Sequence, residues 1–285
     1  MSGRVRVEVA GSPRWGAQED SEIVLDGGER IPEAEAAYLA PAEPTKVIAV
    51  HLTYRSRIEE YRARTPAEPS YFLKPPSALA GHRGVIRKPR GARFLNYEGE
   101  VACVVGRRMQ GVRAEDALGY VAGFCCANDV SLHDFRHADR GSMLRVKGAD
   151  GFLPLGPALV PASEWDPAAY TLRTYLDGEV VQEAVADDLI WPVQYQLADL
   201  CRLITLEPGD VVLTGTPANS RPMEAGAVVE VEVTGLGRLT STVLESDADL
   251  AGPGEQMRVS ASTLHVALAL PEDEAERLVA AGRLP

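Results

Sequence analysis

One short segment limits what this chain can fold into more than any other. Residues 96–106 read Asn-Tyr-Glu-Gly-Glu-Val-Ala-Cys-Val-Val-Gly, and the part that follows Glu100 is apolar at consecutive positions. Because successive side chains of a strand point to opposite faces, such a run needs other parts of the protein to cover both faces. The segment therefore predicts an interior strand of a β-sheet.

Two carboxylates stand where this strand begins. Glu98 and Glu100 are two residues apart, so they project from the same face of a strand. Adjacent carboxylates that lose hydration repel each other, and they are tolerated when a cation lies between them. A solvated strand end is the alternative interpretation, which the apolar continuation weakens.

A third acid favours the cation. Asp129 follows the apolar residues 120–126 and so lies at the end of another hydrophobic segment. Three oxygen ligands suit a hard cation, with Mg²⁺ first and Mn²⁺ or Ca²⁺ next. We predict that Glu98, Glu100 and Asp129 bind such a metal.

Two further segments can meet an anionic ligand. Lys147 stands between an apolar segment and a glycine-rich turn, where it can approach an anion as a point charge, although an exposed lysine would look the same. Thr214-Gly215-Thr216-Pro217 follows a predicted strand, and its N–H groups and hydroxyls could hold a carboxylate, although it could equally be a plain turn. The sequence contains no Walker loop, nucleophile elbow or dinucleotide fingerprint.

Charge and cysteine usage restrict partners and compartment. The chain of 285 residues has 29 basic and 41 acidic residues, a net charge of −12, and no basic cluster, so nucleic acid is not an expected partner. It has no apolar run of 18 residues and no apolar signal region, so we expect no membrane span and a cytoplasmic location. The four cysteines have apolar flanks and form no Cys-x-x-Cys pair, which predicts buried reduced thiols, with a redox or zinc role as the alternative.

The order of local patterns predicts a strand-rich α+β protein. Strands are predicted at residues 4–9, 46–52, 70–74, 84–88, 99–106, 170–176, 210–213, 228–233 and 238–244. Helical segments are predicted within 53–69, at 113–118, at 191–206 and from 271 onward. Residues 1–45, loosely structured from 11 on, would form an N-terminal extension or small domain, 46–250 the main domain, and 251–285 a tail with a short helix.

Five segments in this order resemble the fumarylacetoacetate hydrolase superfamily. They are Tyr-Phe-Leu-Lys-Pro-Pro-Ser-Ala-Leu at 71–79, Tyr-Glu-Gly-Glu-Val-Ala at 97–102, Tyr-Val-Ala-Gly-Phe-Cys-Cys-Ala-Asn-Asp at 120–129, Lys-Gly-Ala-Asp-Gly-Phe at 147–152 and Leu-Glu-Pro-Gly-Asp-Val-Val-Leu-Thr-Gly-Thr-Pro at 206–217. The resemblance covers about residues 46–246. Residues 144–151 are most similar to the branch that contains 2-hydroxyhepta-2,4-diene-1,7-dioate isomerases and 5-oxopent-3-ene-1,2,5-tricarboxylate decarboxylases.

The resemblance implies that residues 46–250 are a catalytic domain with a coiled mixed-β roll, often in a homodimer. It implies Mg²⁺ or Mn²⁺ on the three acids already identified from the residues. It also implies that Lys147 and the turn with Gly215 and Thr216 bind a small 2-oxo acid substrate. We expect Lys147 to hold its enolate or carboxylate oxygen and Thr216 to hold its carboxylate end.

Two departures from the family pattern bear on the reaction. Hydrolytic members carry a His-x-x-Glu pair after a Leu-Asn-Tyr motif, whereas this chain has Arg57 in place of the histidine and retains Glu60. His133 stands where relatives often have arginine, and it is either a substrate-binding or a structural residue. Arginine stays protonated and cannot activate water, but it can bind a second carboxylate.

These features together predict an isomerase or decarboxylase of 2-oxo or 2-hydroxy-dienoic di- or tricarboxylates in aromatic-compound catabolism. The reaction would proceed through a metal-stabilised enolate. An acylpyruvate- or fumarylpyruvate-type hydrolase with Glu60 as the base is the alternative within the enzyme class. A metal-binding relative that has lost catalysis is the alternative of another class.

Overall fold

The computed structural model describes residues 3–139, 141–247, 250 and 253–285. Its strands are β1 Arg4–Val9, β2 Ser12–Glu19, β3 Glu22–Leu25, β4 Arg30–Pro32, β5 Ala37–Leu39, β6 Val47–His51, β7 Ser70–Lys74, β8 Leu79–Ala80, β9 Gly84–Pro89, β10 Leu95–Asn96, β11 Gly99–Val105, β12 Val121–Asn128, β13 Ser131–Leu132, β14 Leu153–Pro161, β15 Thr171–Leu176, β16 Glu179–Val185, β17 Val211–Leu213, β18 Val228–Val233 and β19 Gly237–Ser246. Its α-helices are α1 Arg55–Glu60, α2 Ala114–Ala117, α3 Leu144–Lys147, α4 Val193–Cys201, α5 Ala261–Leu268 and α6 Glu272–Ala280.

Most strands belong to one large mixed sheet. Its order is β4-β3-β2-β1-β14-β12-β11-β17-β6-β7, with β5 paired to β1 and β8 paired to β14. A second sheet has the order β16-β15-β18-β19-β9, and β10 pairs with β13. Antiparallel pairs dominate, while β17 runs parallel to β6 and β19 runs parallel to β9. The strand-rich α+β prediction is therefore confirmed.

Strand β11 is the interior strand that its sequence predicts. Every residue of β11 is buried, and the strand lies between β12 and β17. Val101 and Cys103 pack in one core cluster together with Val231 of the second sheet. Ala102 and Val104 point the other way into a separate cluster. Both faces of β11 thus meet a core, which is why its apolar run is unbroken.

The four cysteines are free and buried, as their flanking residues predict. Burial raises the pKa of Cys125 to about 12, and it also raises the pKa values of Cys103 and Cys126. These three thiols are therefore neutral at physiological pH. No helix within the described part of the chain is long and apolar enough to span a membrane.

The N-terminal region corrects one expectation. Residues 11–45 were expected to be loosely structured, but β2 to β5 occupy most of them and form antiparallel pairs with one another and with β1. A small core that includes Val5, Val7, Ile23 and Leu25 lies beneath them. The expectation was wrong because these strands are short, and strand pairing supplies order that a brief apolar pattern does not reveal. The division into an extension and a catalytic domain stays a prediction.

The C-terminal region contains one predicted helix and one that was not predicted. The expected short helix is α6, and α5 precedes it. The serine at 260 caps α5, because Ser260 Oγ accepts from the Thr263 N–H and Thr263 Oγ1 accepts from the Ser260 N–H. This cap lacks the usual Glu or Gln at its fourth position, so its sequence signal is weak. The expected boundary at 250–251 adjoins residues 248, 249, 251 and 252, which lie outside the described residues.

Candidate active site

Three buried carboxylates meet where β11 begins and β12 ends. Gly99 pairs with Asn128 in this antiparallel ladder, so Glu98 and Glu100 lie beside Asp129. The Asp129 N–H also donates to the Glu98 carbonyl oxygen at 2.9 Å. One carboxylate oxygen from each of the three acids lies within 4.8 Å of the others. The structure thus brings together the three residues that the sequence predicts as metal ligands.

Two buried lysines hold this cluster. Lys147, at the end of α3, places Nζ 2.6 Å from Glu98 Oε2 and 2.6 Å from Asp129 Oδ2. Lys74, the last residue of β7, places Nζ 2.6 Å from Asp129 Oδ1 and 3.1 Å from the Phe152 carbonyl oxygen. The carboxylate of Asp129 therefore lies between two ammonium groups.

Sequence reasoning did not assign Lys74 to the site. The available signal is its position on β7, where Lys74 and Phe72 are both buried and share one face. A lysine at an inward position of a strand needs a buried anion as partner. The partner, Asp129, is distant in sequence, so the pattern alone does not name it.

The two glutamates have opposite electrostatic surroundings. Burial, and then the charges of Asp129 and Glu98, raise the pKa of Glu100 well above its usual value. Burial acts in the same direction on Glu98, but Lys147, Arg57 and hydrogen bonds from Lys147 and Ser131 outweigh it and lower the pKa of Glu98. Glu100 is therefore the acid whose charge is least compensated by the protein.

The cluster fits a hard divalent cation. Its donors are all carboxylate oxygens, which Mg²⁺ and Mn²⁺ prefer and which differ from the nitrogen and sulfur ligands typical of zinc. Glu100 receives a hydrogen bond at 2.7 Å from the Gly215 N–H on one oxygen. Within the described residues its other oxygen has no hydrogen-bond donor and can bind a cation. Positive charge here would relieve the repulsion that raises the pKa of Glu100.

A cavity of about 440 Å³ opens above the carboxylates. It contains the predicted substrate-binding residues Thr216, Arg57 and His133 and the predicted catalytic residue Lys147 in its wall. Its other lining residues include several that sequence reasoning did not assign to the site: His51, Tyr61, Phe72, Arg136, Met143, Ser262, His265 and Glu272. Gly215 and Glu60, both predicted site residues, are not among the lining residues.

Gly215 positions a carboxylate. Its φ of +96° lies in the left-handed region, and a Cβ at this position would lie 1.9 Å from Thr53 Oγ1. Only glycine fits there, and it aims its N–H at Glu100. Its neighbour Thr216 faces the cavity, and Thr216 Oγ1 accepts a hydrogen bond from Gln182 Nε2 at 3.1 Å. A direct contact of either residue with substrate stays a prediction.

The segment that carries Arg57 and Glu60 forms one side of the cavity. Arg57 is buried on α1, donates to Glu60 Oε2 at 2.8 Å and lies 4.3 Å from the centre of the Tyr61 ring. Glu60 also receives Arg221 at 2.6 Å and the Asn219 N–H at 3.2 Å. Both of its carboxylate oxygens thus already accept hydrogen bonds, from two arginines and a backbone N–H.

His133 and Arg136 have few protein partners. Both ring nitrogens of His133 are buried and lack a hydrogen-bond partner within the described residues. Burial and the charges of Arg136, Lys147 and Arg57 lower the pKa of His133 well below its usual value, so its ring is neutral. Arg136 donates to Met143 Sδ at 3.1 Å, and no described carboxylate lies within salt-bridge distance of it. A polar ligand in the cavity would satisfy both side chains.

The chain is similar in sequence to a known protein family and to a named enzyme. The family model described as fumarylacetoacetate (FAA) hydrolase C-terminal matches residues 46–244. A 4-hydroxyphenylacetate degradation bifunctional isomerase/decarboxylase from Escherichia coli is 35% identical over 202 residues, which are 70% of this chain and 47% of that protein. The chain thus spans about half the length of that relative.

Two solved structures are also similar. The 5-carboxymethyl-2-hydroxymuconate delta-isomerase of Mycobacterium smegmatis has a TM-score of 0.77 and 34% identity, with 86% of this chain and 100% of that chain covered. The 2-hydroxyhepta-2,4-diene-1,7-dioate isomerase of Mycobacterium marinum has a TM-score of 0.76 and 32% identity, with 87% and 100% covered.

Proposed function

Because the chain belongs to the fumarylacetoacetate hydrolase family, we propose that it is a divalent-metal-dependent isomerase or decarboxylase. Its substrates would be small 2-oxo or 2-hydroxy-dienoic di- or tricarboxylates from aromatic-compound catabolism. One observation carries the proposal: three buried carboxylates and Lys147 line a cavity that also contains Arg57 and Arg136, and Lys74 holds Asp129 beside them. The activities named for the similar isomerases and the isomerase/decarboxylase support it.

Glu98, Glu100 and Asp129 would hold Mg²⁺ or Mn²⁺. When bound, such a cation supplies Lewis-acid polarisation of a 2-oxo group and stabilises negative charge on its oxygen. The lysines add two positive charges to three negative ones. With a dication present the site is therefore net positive, and it favours an anionic 2-oxo acid.

Lys147 would hold the oxygen on which negative charge develops. Its Nζ already lies at the carboxylate cluster, where it donates to Glu98 Oε2 and to Asp129 Oδ2. His133 would serve proton transfer, because a neutral imidazole with two free nitrogens can donate at one and accept at the other. Arg57 and Arg136 would bind the second carboxylate of the substrate, since both guanidinium groups line the same cavity.

The surroundings of Glu60 favour this reaction type over hydrolysis. A C–C hydrolase needs a base that activates water. Arg57 cannot accept a proton, and Glu60 is bound by Arg57 and Arg221 outside the cavity wall. Isomerisation and decarboxylation need no activated water, so they are compatible with these contacts.

We further propose that the protein acts in the cytoplasm as a homodimer, with residues 46–250 as its catalytic domain. The buried reduced thiols are compatible with this compartment. Sedimentation equilibrium on the full chain tests the dimer, and a single species of 30.6 kDa, the mass of one chain, would contradict it.

A direct assay tests the reaction. The protein with saturating Mn²⁺ or Mg²⁺ is given 2-hydroxyhepta-2,4-diene-1,7-dioate, 5-oxopent-3-ene-1,2,5-tricarboxylate and an acylpyruvate in parallel. We expect tautomerisation or CO₂ release from the first two and slow cleavage of the third, with Glu98→Ala as the metal-site control. A higher kcat/KM on the acylpyruvate would identify a hydrolase. No turnover with intact metal binding would identify a catalytically silent relative.

A further inference from the structure

We propose that the helix pair α5–α6 determines substrate specificity, and that His265 contacts the end of the substrate that is remote from the carboxylate cluster. This inference rests on the proposed function, since it assumes that a 2-oxo dicarboxylate occupies the cavity. The family match ends at residue 244, before either helix begins. The helix pair is therefore an addition to the matched region that nevertheless reaches the site.

The helix pair forms part of the cavity wall. Ser262, His265 and Val266 of α5 and Glu272 at the start of α6 line the same cavity as the three carboxylates. A ligand bound at the carboxylates and extending across this cavity would therefore meet α5. A two-carbon diacid would stay beside Glu98, Glu100 and Asp129, whereas a longer 2-oxo dicarboxylate would extend toward α5.

Helix α5 is fixed to the elements that carry the site. Thr263 Oγ1 donates to the His133 carbonyl oxygen at 3.1 Å, and Asn96 Nδ2 donates to the Ala267 carbonyl oxygen at 2.9 Å. Tyr61 donates its hydroxyl to the Val266 carbonyl oxygen at 3.0 Å. These contacts join α5 to the strand ends near the carboxylates and to the segment that follows α1.

A small hydrophobic core adds to this attachment. Leu264 and Ala267 of α5 pack with Ala275 of α6 and with Phe94, just before β10. The His133 N–H in turn donates to the Phe94 carbonyl oxygen at 2.9 Å. The helix pair is thus part of the packed structure around the site, and its side chains are held in defined positions.

His265 is the side chain of α5 best suited to bind a ligand. Its Nδ1 lies 2.7 Å from the Leu270 carbonyl oxygen, which can only accept, so Nδ1 carries the hydrogen. Within the described residues Nε2 has no hydrogen-bond partner. The ring centre lies 5.3 Å from that of Tyr61, whose ring also contacts Arg57. Nε2 is therefore the ring nitrogen left for a ligand, and a doubly protonated ring donates from it to a carboxylate.

Two substitutions of His265 separate ligand binding from structure. His265→Asn retains a donor that can reach Leu270 in the manner of Nδ1 but lacks Nε2. His265→Gln places an amide near the Nε2 position but loses the Leu270 contact. Arg277→Ala, on the exposed side of α6, is the matched control, because the one side-chain hydrogen bond or ion pair of Arg277 within the described residues is with Asp273.

The probes are oxalate and 2-oxoadipate, titrated calorimetrically in the presence of Mn²⁺. We expect His265→Asn to weaken 2-oxoadipate about 10- to 100-fold, the range for loss of a hydrogen bond to a charged group. His265→Gln should weaken it less, and Arg277→Ala should not change it. Oxalate affinity should stay within about twofold in every variant, because oxalate does not reach α5.

The outcomes distinguish failure of this inference from failure of the proposed function. Unchanged 2-oxoadipate affinity in His265→Asn would refute the contact, as would an equal loss for oxalate. A loss of 2-oxoadipate affinity in His265→Gln alone would show that His265 acts through its contact with Leu270. That result would also refute the proposed contact with the ligand. If the unmodified protein binds neither probe with Mn²⁺, the proposed function itself fails.

Discussion

Glu98 and Glu100 have different surroundings, so neutralising one should raise the free energy of unfolding and neutralising the other should lower it. Glu100 is buried beside two other carboxylates and accepts a hydrogen bond from Gly215. Glu98 is paired with Lys147 at 2.6 Å and accepts from Ser131 Oγ at 2.9 Å. Neutralising Glu100 therefore removes mainly repulsion, whereas neutralising Glu98 removes mainly attraction. We expect Glu100→Gln to stabilise the metal-free protein and Glu98→Gln to destabilise it.

The distance between the carboxylates sets the size of the stability change for Glu100→Gln. With an effective dielectric constant of ~20, two unit charges at the 4.8 Å limit of this cluster repel by about 3–4 kcal/mol. Part of this energy is already relieved, because Lys147 attracts Glu100 and because the raised pKa of Glu100 lets it take up a proton. We therefore expect a gain of about 1–2 kcal/mol for Glu100→Gln, which keeps an oxygen for the Gly215 N–H.

The loss for Glu98→Gln should be about 2–3 kcal/mol. Breaking a buried ion pair typically costs about 3–5 kcal/mol, and the cost is smaller here because Lys147 retains Asp129 as a partner. Urea denaturation with a chelator present measures both changes. Both variants should also lose Mn²⁺ affinity by more than the ~10–100-fold typical of losing a group that merely supports a metal ligand.

Two results would refute this reasoning. If Glu100→Gln destabilises the metal-free protein as much as Glu98→Gln does, the carboxylates do not repel each other in the folded state. If calorimetry finds unchanged Mn²⁺ affinity in both variants, the metal binds elsewhere. We expect the two variants to change the stability of the metal-free protein in opposite directions, and we expect both to lose Mn²⁺ affinity.

Four further predictions concern Lys147, Arg57, the cysteines and His82. Lys147→Met should lower kcat by about 10²–10³-fold with a smaller effect on KM, as steady-state kinetics with saturating Mn²⁺ will show. Arg57→Ala should raise KM for a 2-oxo dicarboxylate about tenfold or more, and raise it less for a monocarboxylate analogue. None of the four buried thiols should react with a thiol reagent in the folded protein, and all four should react in denaturant. Burial, and then Arg83, lower the pKa of His82 to about 4, which NMR titration can measure. Stability should fall as pH drops from about 6.5 toward 4, because the unfolded chain then binds a proton that the folded chain does not.

Local patterns were sufficient wherever a property depends on neighbouring residues. The unbroken apolar run after Glu100 predicts an interior strand, since both faces of β11 are buried. The spacing of Glu98 and Glu100 predicts a shared face, and the apolar run before Asp129 places this acid at a strand end. A strand alternates its side chains whatever surrounds it, so this information is present in the sequence itself.

The surroundings of these carboxylates depend on the tertiary structure. Lys74 and Lys147 reach Asp129 from separate elements, and His265 comes from beyond the matched family region. The order of residues 11–45 likewise comes from strand pairing and a small core that β1 shares with β14. A contact between residues far apart in the chain depends on how whole elements pack, and packing leaves no local periodicity from which to predict it. Local spacing therefore indicates which acids stand at strand ends, whereas the fold brings Asp129 to the two glutamates and sets the charges and walls around them.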